Sequence, residues 1–110
     1  MLAPSQRIGH SRDFTRAVRH GRRVRRGHLV AHIAPADEMT RCGFIVSKAV
    51  GNSVIRHRVT RRLRALCHDQ YADLPPSSLV VLRALPSAGA ASFDALRADL
   101  RQIAGTVRTR

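Results

Sequence analysis

Residues 48–66 read KAVGNSVIRHRVTRRLRAL. Gly51 and Asn52 break the extended chain before them, and Asn52 or Ser53 supplies a side-chain oxygen able to cap the helix that follows. In that helix Ile55, Val59, Leu63 and Leu66 recur at helical spacing and make one apolar, core-facing stripe. Arg58, Arg61, Arg62 and Arg64, with His57 and His68, populate the broad opposite face. Arg56 sits near the apolar edge in the first turn, from where it can reach around the helix end toward a ligand. The stretch holds five arginines and no acid. A surface of that density suits a polyanion, and the ordered scaffold beneath it suits a shaped one such as folded RNA.

On either side, the chain reads as support for this helix. Residues 41–47 (RCGFIVS) read as the strand entering it, and residues 28–35 (HLVAHIAP) as an earlier strand. Alternation puts Leu29, Ala31 and Ile33 on one face of that earlier strand and Val30 and His32 on the other. The Asp37-Glu38 turn between the two predicts an antiparallel hairpin. Further upstream, Ser11 reads as an N-cap, Asp13 lies in the first turn and Gly21 near the stop of a helix whose Phe14, Ala17 and Val18 share a face. Residues 22–27 (RRVRRG) read as a basic link. Downstream, Leu74-Pro75-Pro76 closes the helical region, and residues 78–85 (SLVVLRAL) are apolar enough for a central strand. Ser92 then caps a last helix with Phe93, Leu96, Leu100 and Ile103 in register, stopped by Gly105 and followed by a short frayed tail, Arg108-Thr109-Arg110. An α+β fold satisfies this order, with helices on one face of a small sheet and the other face partly open.

With 110 residues, 44% of them apolar, the chain predicts one domain spanning 1–110 with a modest core. Net charge is +13 and unevenly placed. Residues 1–68 carry 15 Lys/Arg against Asp13, Asp37 and Glu38, a balance of +12, whereas residues 69–110 balance at +1. Nineteen of the twenty cations are arginine, so the charge carries the argument and the choice of arginine does not. Self-repulsion on this scale points to a polyanionic partner. Cys42 and Cys67 form no CxxC pair and read as two buried thiols of a reducing compartment. The longest apolar runs are a few residues, so neither a signal peptide nor a membrane span is expected, and the expected location is the cytoplasm.

Lys48-Ala49-Val50-Gly51-Asn52-Ser53-Val54-Ile55-Arg56-His57-Arg58-Val59-Thr60-Arg61-Arg62 resembles the signature of the bacterial ribonuclease P protein component, roughly K-x-x-G-N-A-V-x-R-N-R-x-K-R. Ser11-Arg12-Asp13-Phe14, Arg19-His20-Gly21-Arg22 and the strand from Gly43 to Lys48 resemble the same family, in the same order, over nearly the whole chain. The resemblance implies an αβββαβα order with a small mixed sheet packed by helices and a left-handed βαβ crossover, the ribosomal protein S5 domain 2-like fold. That hand runs against the general rule for such crossovers. The resemblance also implies a further short strand, around Val24 or from a split of the hairpin.

In function, the resemblance implies the protein subunit of a ribonucleoprotein endonuclease that removes the 5′ leader of precursor tRNA. Its partners are then the ribonuclease P RNA and the precursor tRNA, with no membrane. Carried over by position, Lys48, Asn52, Arg56, Arg58, Arg61, Arg62 and Arg64 would face the RNA subunit. Phe14, Val18, Val30 and His32 would line the cleft that holds the leader. His57 and Thr60 replace the family's asparagine and lysine, and Val18 and His32 stand where the family has aromatic side chains, which leaves Phe14 as the stacking platform. Phe14 and Val18, at i and i+4, suit a core as well as a cleft. The resemblance places the chemistry, and the Mg²⁺ it needs, in the RNA active site.

That assignment agrees with the residues themselves. The seven acids are scattered, and a protein-borne Mg²⁺ site would need them clustered around the scissile phosphate. No catalytic residue is therefore expected in the polypeptide. Two other readings stand beside this one: a structural or ribosomal RNA-binding protein without processing activity, and a DNA-binding protein using the basic helix in a major groove. The second lacks a partner helix at helix-turn-helix spacing.

Overall fold

The computed structural model describes residues 2–108. Its elements are α1 (Ser11–His20), β1 (Arg22–Arg26), β2 (Leu29–Pro35), β3 (Arg41–Ile45), α2 (Ser53–Asp69), β4 (Ser78–Ala84) and α3 (Phe93–Arg108), the αβββαβα order. The four strands form one mixed sheet in the order β1-β2-β4-β3. β1 pairs with β2 and β2 with β4 antiparallel, while β3 runs parallel to β4, so β3–α2–β4 is the βαβ unit.

Three expectations about the sheet change. β2 and β3 do not form a hairpin, because β4 lies between them. Six of the seven β4 residues are buried, so it needs a neighbour on each edge and cover on each face. A hairpin would have left it at the rim. The stretch 22–26 is not a link but the further strand that the resemblance implied around Val24: alternation buries Val24 and leaves Arg23 and Arg25 exposed. At its end Gly27, at φ 56°, provides the left-handed turn into β2. Finally, helices cover both sheet faces. α2 and α3 pack on Leu29, Ala31, Val80 and Leu82, while Ala17 of α1, with Phe14 and Val18, packs on Ala34, Leu79 and Val81.

The helix ends follow local chemistry. Asn52 Oδ1 accepts the Ile55 N–H at 3.0 Å, capping α2, and Val59, Leu63 and Leu66 of its stripe are fully buried, with Ile55 packed beside them. α2 ends at Asp69, ahead of the two prolines. His10 and not Ser11 occupies the cap position of α1, which ends at Gly21 as expected. Ser92 Oγ accepts the Ala95 N–H at 3.0 Å to start α3. Gly105 does not stop α3, which runs on to Arg108, where the guanidinium pairs with Asp73 at 3.4 Å. The rest of the expected tail, Thr109 and Arg110, lies outside the described residues. Cys42 and Cys67 are both buried and free. Their hydrogen bond, and then burial, push the Cys67 thiol well above its ordinary range.

Candidate nucleic-acid interface

Two basic surfaces emerge, one on each side of the sheet. The first is built on α2 and the 3-10 turn Lys48–Val50 before it. Lys48, Asn52, His57 and Arg61 are exposed, and Arg56, Arg58, Arg62 and Arg64 are half-buried along the two flanks. None of the ion pairs among the described residues involves an arginine of this helix. Its positive charge is therefore left for a partner.

The flanks differ in a way the helical wheel does not show. On one, Arg58 Nη2 donates to the Gly89 carbonyl at 3.1 Å, and Arg62 Nη1 donates to the Ala91 carbonyl at 3.2 Å. On the other, Thr60 Oγ1 donates to the Arg56 carbonyl at 2.9 Å, and Arg64 lines a pocket of about 150 Å³ with Arg7, Phe14 and Phe44. The Nε groups of Arg56, Arg58 and Arg64 are buried without a hydrogen-bond partner among the described residues. Buried donors of this kind are seldom left unpaired unless a further group arrives to accept from them.

The second surface is the sheet face under α1. Register aligns Arg23, His32, Val81 and Gly43 in one row, and Arg25, Val30, Arg83 and Ile45 in the next. The Phe14 ring lies over Gly43, where an added Cβ would come within 2.5 Å of it. Beside it runs a groove of about 260 Å³ lined by Phe14, Thr15, Val18, Arg19, Ile45 and Arg83. An aromatic ring, apolar walls and flanking guanidinium groups are what an unpaired nucleotide strand needs: a stacking platform with charge beside it.

The four cleft residues expected from the sequence therefore fall on one face but in two environments. Phe14 and Val18 line the groove. Val30 and His32 are only 1% and 5% exposed, lie in the sheet face under α1 and are not among the residues lining the groove. Neither ring nitrogen of His32 has a hydrogen-bond partner among the described residues. Burial first, then the positive charges of Arg83 and Arg23, lower its pKa, which favours the neutral ring. The sequence reading missed Arg19 and Arg83. For Arg83 there was a signal: it is the single charge in an otherwise apolar strand, at the parity that faces α1.

The two surfaces meet at the outer edge of β3. There the Arg7 segment bridges to Cys42, with the Ile8 N–H donating to the Cys42 carbonyl at 2.9 Å, which covers an otherwise open strand edge. Phe14 from the α1 side and Arg64 from the α2 side line the same small pocket.

Known proteins resemble this chain in sequence and in fold. The family model described as Ribonuclease P matches residues 2–108. The ribonuclease P protein component of Streptomyces avermitilis is 49% identical over 110 residues, covering 91% of this chain and 89% of the relative. That of Rhodococcus opacus is 47% identical over 116 residues, covering 98% and 91%. Among solved structures, the RNase P protein of Staphylococcus aureus superposes with a TM-score of 0.83 at 21% identity, covering 93% of this chain and 94% of that one. The Thermotoga maritima protein gives 0.79 at 18% identity, covering 88% and 93%. At those identities the structural matches establish the fold. No helix among the described residues is long and apolar enough to cross a membrane.

Proposed function

This chain belongs to the ribonuclease P protein family, and on that footing we propose that it is the subunit that joins a catalytic RNA to the 5′ leader of precursor tRNA. In this reading α2 and the turn Lys48–Val50 bind the RNA subunit through Lys48, Asn52, Arg56, Arg58, Arg61, Arg62 and Arg64. The groove under α1 takes the single-stranded leader, with Phe14 as stacking platform, Val18 as wall, Val30 and His32 buried in the sheet face under α1, and Arg19 and Arg83 beside the phosphates. The observation that carries the reading is the unneutralised arginine face of α2 in a chain of this family.

The polypeptide assists and the RNA cleaves. Four of its seven acids are engaged within the protein: Asp13 with Arg41, Asp73 with Arg108, Asp94 with Arg97, and Asp99 with the His28 N–H. Mg²⁺ is bound by the RNA active site, and the protein's cations lower the concentration needed by offsetting phosphate repulsion. Hydrolysis of the phosphodiester leaves a 5′-phosphate on the tRNA.

The test is cleavage of precursor tRNA at low Mg²⁺ by a bacterial ribonuclease P RNA, with and without this protein. Strong stimulation, abolished by Arg58→Ala plus Arg61→Ala, is the expected result. Tight RNA binding without stimulation would replace the reading with a structural RNA-binding role, and cleavage by the protein alone would overturn it.

A further inference from the structure

We propose that the 3-10 turn Pro86–Gly89 and the carbonyl of Ala91 just after it form a positioning element for RNA binding, holding the guanidinium groups of Arg58 and Arg62 as preset forks. The inference rests on the RNA-binding reading of α2 and goes beyond it, because the turn need not touch RNA.

Each of these arginines spends one N–H on a backbone carbonyl: Arg58 on Gly89 at 3.1 Å and Arg62 on Ala91 at 3.2 Å. A guanidinium has five donors in a fixed plane, so four remain on each, the Nε of Arg58 among them being buried, and no carboxylate among the described residues pairs with either group. A carbonyl neutralises nothing. It fixes the plane of the fork and leaves the charge whole, the arrangement that favours bidentate contact with a phosphate.

The turn is itself wedged in place. Pro86 opens it, and Ala88 and Gly89 are buried. A Cβ at Gly89 would lie 2.4 Å from the Val50 carbonyl and 3.2 Å from Ile55 Cγ2. Only glycine allows the turn to come this close to the Lys48–Val50 turn and the start of α2. The acceptors for Arg58 and Arg62 are thus anchored to the same two elements that carry Lys48 and Asn52. Arg61, by contrast, is exposed and takes no part in these bonds to the turn.

The prediction separates orientation from charge. The full chain is titrated against a bacterial ribonuclease P RNA over a salt series, with thermal melts of every variant. Arg58→Lys plus Arg62→Lys keeps both charges, so the slope of log affinity against log salt stays the same while affinity falls about tenfold or more at every salt. Arg61→Lys loses less, about threefold at most. Gly89→Ala, with both arginines intact, shifts affinity in the same direction as the lysine pair, again at constant slope. Equal losses at Arg61 and at the tied pair would overturn the proposal, as would a reduced slope in the lysine pair or unchanged affinity in both the pair and Gly89→Ala. Should Gly89→Ala fail to fold, the lysine variants decide alone. Absence of binding by the unmodified chain would instead refute the reading of α2 itself, and this proposal with it.

Discussion

His32 shows how one side chain can report on the state of the sheet face under α1. It is buried in the same row as Arg23 and beside the row that carries Arg83, with both ring nitrogens unpartnered among the described residues. Because its pKa is lowered in the fold, the unfolded chain binds the proton more readily. Stability from the neutral ring is complete above the ordinary histidine value and declines as pH falls through about 6.5 toward the lowered folded value. Urea unfolding from about pH 7.5 to about pH 5.5 should therefore show less pH dependence in His32→Phe than in the unmodified chain. Identical slopes would mean that His32 is not the source. No similar role was legible for this residue in the sequence: alternation placed it opposite Ile33, but burial beside two arginines depends on Arg23 and Arg83, which lie 9 and 51 residues away in the chain.

At the scale of elements, α2 was the most legible part of the chain and α3 shows where such reading fails. The cap, stripe and cationic face of α2 all appear where helical spacing puts them. Gly105 reads as a stop, yet α3 continues through it, held by Leu100, Ile103 and Ala104 in the core. Packing outweighs the weak helix propensity of one glycine, which costs about 1 kcal/mol. The space around Gly105 is open, with nothing within 4 Å of an added Cβ. Gly105→Ala is accordingly expected to stabilise the protein by about 0.5–1 kcal/mol, raising its melting temperature without altering RNA affinity. Destabilisation would show that the end of α3 needs the glycine conformation after all. The strand at 22–26 erred in the opposite sense. One apolar residue among four arginines carries too little alternation to be recognised, and its pairing with β2 supplies what the pattern lacks.

For the whole molecule, the sheet separates two tasks: α1 forms a groove on one face, and α2 presents charge on the other. Variants on the two sides should then fail differently in the enzyme reconstituted with its RNA. Phe14→Ala is expected to weaken binding of precursor tRNA by about 5- to 150-fold, the value of one stacked base, and to leave mature tRNA, which has no leader, nearly unaffected. Arg61→Ala should weaken assembly with the RNA subunit and, once assembly is forced by concentration, treat both substrates alike. A Phe14→Ala defect of equal size for precursor and mature tRNA would show that the groove does not hold the leader.

The amino-acid sequence by itself determined the charge and its concentration before residue 69, the phase of α2, the faces of β2, the central character of β4 and the family signature around Asn52. These are local properties, fixed by a period of 3.6 or 2 and by the chemistry of adjacent residues. Only the tertiary structure decided that β4 lies between β2 and β3, that α1 covers the second face, that Val30 and His32 are buried, and that Arg58 and Arg62 are tied to the Gly89 and Ala91 carbonyls. Each of those depends on which distant segments satisfy one another's apolar faces and backbone groups together, and no pattern within a single segment contains that information.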